Sequence, residues 1–195
     1  MKNLILFLIL TFIISCQDPV KLKNNNDNSI VQFLNSFENK TIDELKTIDF
    51  DTIQPGKIID SIYVSNYLCD CVVNLCFYSN GPYQRSYFRL FKVKYTDNLL
   101  VIFYFISESN PGVRIEAATV NLTDEEVVSK LLLSKLDPSI EENIKTKIDQ
   151  NFIFDIRRTF EIYNSDYLPD QDSIKVKEIF EKYKIDKNGK FKLIN

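Results

Sequence analysis

From Leu4 to Ile14 the chain is apolar at every position except Thr11, with Lys2 before the run and Ser15-Cys16 after it. A cationic start, a short apolar stretch and a small residue at its end are the pattern of a secretory signal peptide. The run is about half of the ~20 residues that a membrane-spanning helix needs. Gln17 to Asn28 then offers little to bury: Pro19, alternating lysines and the polar run Asn24-Asn25-Asn26-Asp27-Asn28. Such a segment cannot offset its ordering entropy by packing and reads as a flexible tether. The chain therefore divides into a signal at 1–15, a tether at 16–28 and one folded domain at 29–195.

Helical spacing opens that domain. Ser29 is placed as an N-cap, with Ile30, Phe33, Leu34 and Phe37 on one face. Thr41-Ile42-Asp43-Glu44 has the form of a capping box and predicts a short helix near 42–47. After the turn Gln54-Pro55-Gly56, residues 58–68 carry a second amphipathic helical pattern, rich in β-branched side chains. From about Cys71 the period changes to that of strands. Val72–Tyr78, Ser86–Tyr95, Leu99–Ile106, Val113–Leu122, Asn143–Ile148 and Phe152–Tyr163 are separated by turn residues or short loops. Residues 127–136 carry both signals, a capping box at Thr123–Glu126 and a strand-like alternation, and are read as a strand. Ile174–Ile185 and Lys190–Ile194 flank Asn188-Gly189, a strong hairpin signal. Leu99–Ile106 is eight apolar residues in succession, so neither face of that strand can be solvated. The expected class is α+β, with N-terminal helices packed on a long, curled antiparallel β-meander.

Composition removes chemistry more than it adds any. The chain has no His, which excludes Ser–His and Cys–His pairs and His-containing metal sites. It has no Gly-x-Ser-x-Gly elbow and no Gly-rich phosphate loop. The formal net charge of −3 gives no electrostatic case for nucleic acid as a partner. Asp186-Lys-Asn-Gly189 is a poor match to a calcium loop, because its Gly comes too early and the distal Glu is missing. Asp166, Asp170 and Asp172 crowd one loop, where solvation is the ordinary role and calcium the alternative. The Tyr and Phe residues at 86–106 read as core rather than as a ligand platform. Cys69, Cys71 and Cys76 invite pairing in an exported protein. If 71–76 were one strand, however, Cys71 and Cys76 would lie about 16–17 Å apart, and a disulfide spans at most about 7 Å between Cα atoms. Free, buried thiols are therefore expected, and a Cys-x-Cys-x₄-Cys zinc site lacks its fourth ligand. No catalytic, cofactor-binding or metal-ligating residue is assigned, and no cofactor is expected.

Ile13-Ile14-Ser15-Cys16 resembles the lipobox of bacterial lipoproteins, departing from it in Ile at positions 13 and 14. The resemblance implies that Cys16 is acylated, with a diacylglyceryl thioether and an N-linked chain such as palmitate, and becomes the first residue. Gln17-Asp18 after it implies the outer membrane rather than retention at the inner one. Tyr183 to Phe191 is similar to the closing hairpin of small, uncharacterised lipoproteins of Gram-negative bacteria. That resemblance brings no activity with it. The expectation is a cell-envelope protein held to the membrane through its lipid anchor. It would act as a non-catalytic module binding a protein, a peptide or a glycan. The alternatives are a hydrolase using paired carboxylates or a loop-bound metal, and an immunity or inhibitor lipoprotein.

Overall fold

The computed structural model describes residues 29–45, 47–48, 53–69, 85–108, 112–137, 142–162 and 175–194. Ser29 caps the first helix, α1 (Ile30–Asn35), by accepting from Gln32 N with its side chain, and Ile30, Phe33 and Leu34 are buried on one face. Strand β1 (Glu38–Lys40) follows at once. Thr41 and Glu44 form the expected capping box, but over a single 3₁₀ turn, Ile42–Glu44. Strand β2 is Thr47–Ile48. Residues 58–68 are only partly helical. Ile58 and Ile59 lie extended against the next strand, with Ile59 N donating to Tyr87 O at 2.7 Å. The helix α2 (Ser61–Tyr63) then relaxes into a π-helical turn, Val64–Leu68. Stiff β-branched side chains and an open strand edge beside them explain the shortening.

Among the described residues eight strands follow: β3 (Arg85–Lys94), β4 (Leu99–Glu108), β5 (Gly112–Asn121), β6 (Glu126–Asp137), β7 (Glu142–Ile148), β8 (Ile153–Ile162), β9 (Lys175–Ile185) and β10 (Phe191–Leu193). Their positions follow the sequence period closely, and residues 126–137 are a strand despite the capping box before them. The expected strand at Val72–Tyr78 lies outside the described residues.

The expected class needs correction. The sheet is a mixed, ten-stranded one in the open order β1-β3-β4-β5-β6-β7-β8-β9-β10, with β2 paired to β7 off that path. Strand β1 runs parallel to β3, through Glu38↔Phe91 to Lys40↔Val93. It lies between the first two expected helices, where Ser36 ends α1 and the chain continues extended along β3. Among the described residues the helices are thus two short pieces rather than a helical layer, and the strand order ends at β1 and β10 instead of curling closed. Strands β6 and β7 share only three residue pairs, Lys135↔Ile144 to Asp137↔Glu142.

Strand β4 is apolar on both faces, as its sequence requires. Ile102, Tyr104 and Ile106 join one cluster with Ile30, Phe33, Phe37, Val64 and Leu68 from the helical region. Val101, Phe103 and Phe105 join the other, with Leu133, Ile144, Phe154, Ile156 and Ile185. Cations of β3 tie α1 down by its C-terminal end, where carbonyls lack helical partners: Lys92 Nζ donates to Leu34 O at 2.7 Å and Arg89 Nη1 to Ser36 O at 3.2 Å. Gly56 sits where a Cβ would meet Arg89 O at 2.4 Å, so the strand edge excludes any larger residue there.

Candidate interaction surface

Two half-buried charge networks border the core clusters. On the helix-covered face, Arg85 Nε lies 2.9 Å from Glu108 Oε1, Arg114 Nε lies 3.0 Å from Glu116 Oε1, and Arg114 Nη1 lies 3.6 Å from Glu108. Tyr104, fully buried, donates to Glu116 Oε2 at 2.7 Å. Burial first, and then the charge of Glu116, push the Tyr104 hydroxyl well above its ordinary range, so it stays neutral and acts as donor. Glu108 Oε1 and Arg114 Nε are close to opposite charges, yet neither is aligned for a hydrogen bond. The second network lies at the far end of β6–β9, where Lys135 meets Glu142 at 3.2 Å and Arg158 meets Glu181 at 2.8 Å and Glu142 at 3.6 Å. Glu108, Glu116, Glu142 and Glu181 are each clasped by a cation. That geometry holds strands in register.

The sheet has a different character on the outer face of β7–β10, and the register assembles it row by row. Lys147 stands beside Asp155 and Asp155 beside Lys182; Lys145 beside Arg157 and Arg157 beside Phe180; Ile153 beside Lys184 and Lys184 beside Lys192. Lys145, Lys147, Arg157, Lys182, Lys184 and Lys192 are all exposed. Among the described side chains, this face gathers six cations with Asp155 and Glu178, and Asp186 lies in the adjoining turn, in a chain of net charge −3. Arg157 pairs with Glu178 and also stands over the Phe180 ring, 5.9 Å from its centroid. Lys182 lies 3.7 Å from Asp155, and Lys192 lies 3.0 Å from Asp186. Exposed pairs of this kind are worth little and leave the excess charge in place. Phe180 is 62% exposed and Val176 is 56% exposed on the same face. No other described aromatic ring is among the exposed large hydrophobic side chains.

The residues singled out from the sequence fall elsewhere. Cys16, Cys71, Cys76, Asp166, Asp170 and Asp172 lie outside the described residues. Cys69 is in a disulfide, which overturns the expectation that it is a free thiol. That expectation rests on a continuous strand starting near Cys71. Cys69 instead ends the π-helical turn, its N–H bonded to Val64 O at 2.8 Å. Asp186 serves the β9–β10 turn, accepting from Asn188 N and Lys190 N at 2.9 Å each. Those bonds and the Lys192 ammonium hold its carboxyl below the ordinary value. Tyr87, Phe91, Phe103 and Tyr104 are core residues, with Phe91 and Phe103 ring centroids 4.7 Å apart. Among the described residues no three His, Cys, Asp or Glu side chains are grouped to hold a metal ion, and no helix is long and apolar enough to cross a membrane.

Sequence reasoning misses the basic face although its parts are visible in the chain. Lys145-x-Lys147, Lys182-x-Lys184 and Lys190-x-Lys192 each alternate at strand period. Only the register shows which members of these pairs share a surface. Compared with known proteins, the chain matches no protein-family model, no curated protein and no solved structure.

Proposed function

We propose that this chain is a lipid-anchored protein of the cell envelope, attached through Cys16, and that its domain is a non-catalytic binding module whose contact surface is the outer face of β7–β10. The observation that carries the reading is the segregation of charge. Six cations and Phe180, all exposed among the described residues, share one sheet face of a chain that is acidic as a whole. Such a face attracts an anionic partner over a Debye length and supplies an apolar contact at its edge. The hydrolase alternative gains nothing from the two charge networks, since their glutamates already face guanidinium or ammonium groups.

A lysine footprint tests the reading. Full-length mature protein is acylated with a water-soluble reagent in intact envelopes and, separately, after purification in detergent. Lys147, Lys182 and Lys184 should react more slowly in the envelope. Lys57 and Lys94, exposed on other parts of the domain, should react equally in both. Equal rates at all five lysines would remove this face as a contact surface.

A further inference from the structure

We infer that the surface met by this face is the anionic headgroup layer of the same bilayer that holds the anchor. The inference rests on the anchored binding module proposed above and names its partner. Three observations favour a bilayer over an acidic protein. The cations are five lysines and one arginine. Specific protein interfaces are depleted in Lys and enriched in Arg, whereas a compact ammonium on a flexible stem suits a diffuse field of headgroups. The apolar groups of this face, Phe180 and Val176, stand exposed on the part of β9 that extends past its pairing with β10. An exposed ring with Arg157 across the ladder and Lys182 two residues along β9 is an arrangement that seats at a headgroup boundary.

Reach is the third. Twelve residues separate Cys16 from Ser29, and no chain of that length reaches further than about 40 Å. The domain would therefore meet the membrane at high effective concentration, so even a weak surface attraction fixes its orientation. An acyl anchor together with a basic patch is a two-signal attachment, in which each cation strengthens contact with an anionic leaflet about fivefold. In this arrangement β7–β10 lie against the lipid, and the opposite side of the molecule faces the aqueous compartment.

The chain contains no Trp, so Phe180→Trp gives a single reporter on this face, with Val31→Trp in α1 as the control. The lipidated full-length variants are reconstituted into vesicles of phosphatidylcholine alone or with phosphatidylglycerol, some carrying brominated acyl chains. Emission of the Phe180→Trp variant should shift to the blue and be quenched by brominated lipid in the anionic vesicles only, and high salt should reverse both effects. The Val31→Trp variant should respond in neither vesicle type. Adding Lys182→Gln and Lys184→Gln to the Phe180→Trp variant should lower the ratio of docked to undocked protein about 25-fold, from about fivefold per cation. Identical emission of the Phe180→Trp variant in both vesicle types overturns the bilayer as partner. If the lysine footprint in native envelopes persists in that case, the binding face stands and its partner is an acidic protein; if it is absent, the binding reading fails too. Failure of the protein to float with phosphatidylcholine vesicles shows that the anchor is missing and overturns both.

Discussion

Truncating Phe103 to alanine tests the two-sided burial of β4 most directly. Phe103 is fully buried in the larger core cluster, and its ring packs 4.7 Å from that of Phe91. Its neighbours across the two ladders are Phe91 on β3 and Ala117 on β5. Ala117 cannot expand into the vacated space, and β4 is held by full ladders on both sides, so the site can collapse only a little. The cost should therefore fall in the upper part of the ~3–5 kcal/mol range for losing a buried Phe. Domains of ordinary stability have ~5–15 kcal/mol in all, so the variant would be marginal. With a urea dependence of ~2 kcal/mol per M, a loss of ~4 kcal/mol lowers the unfolding midpoint by about 2 M. Urea titration followed by far-ultraviolet circular dichroism measures this. Phe180→Ala in the same assay should stay within about 0.5 kcal/mol, as expected of an exposed side chain. A loss below about 1 kcal/mol for Phe103→Ala would refute the reasoning, since it would place the ring at a surface.

Three further outcomes are expected. The folded state holds the Tyr104 hydroxyl well above its unfolded value, so its contribution is complete below about pH 10 and is lost as pH rises beyond that. Tyr104→Phe should flatten the alkaline fall in melting temperature, and an unchanged slope would contradict a buried neutral donor. Thiol counting of the denatured, unreduced, Cys16-acylated chain should find one reactive group among Cys69, Cys71 and Cys76, because Cys69 is bridged; a count of three would remove the disulfide. Mass spectrometry of protein from its native host should find an acylated Cys16 at the N-terminus, and Cys16→Ser should leave the precursor unprocessed at full mass; an unmodified N-terminus beyond Cys16 would end the anchored reading.

What the sequence discloses here is local period, and what it conceals is partnership. Leu99–Ile106 announces burial on both faces because no polar position interrupts it, and both clusters claim alternate residues of that strand. Phe152, Phe154 and Ile156 are buried on one parity as written in the chain. The capping boxes are less decisive. Thr41–Glu44 yields one turn, and Thr123–Glu126 precedes a strand, because tertiary pairing outweighs a local cap worth about 1 kcal/mol. Nothing in Glu38-Asn39-Lys40 suggests a strand; it becomes one because β3 offers an unpaired edge where α1 ends. The basic face is hidden for the same reason. Its lysines come from strands as much as 47 positions apart, from Lys145 to Lys192, and only the ladder makes them neighbours.

The β9–β10 turn reaches far back along the chain: Thr119 Oγ1 donates to Gly189 O, Phe191 N donates to Ser129 Oγ at 3.3 Å, and Tyr95 OH donates to Ile185 O at 3.1 Å. Gly189 has φ +81°, and a Cβ there would stand 3.0 Å from Leu99 Cδ2, so the turn is seated tightly on strands made much earlier. The consequence concerns the order of assembly. Strands β3 to β6 cannot finish their packing until residues 185–191 have been synthesised, and these contacts span 62 to 90 positions of sequence. Loops of that length must close before the contacts repay their entropy, which slows folding relative to a chain built from local contacts. A nascent chain that still lacks this turn cannot complete these contacts, and commitment to the native state waits on the C-terminal hairpin.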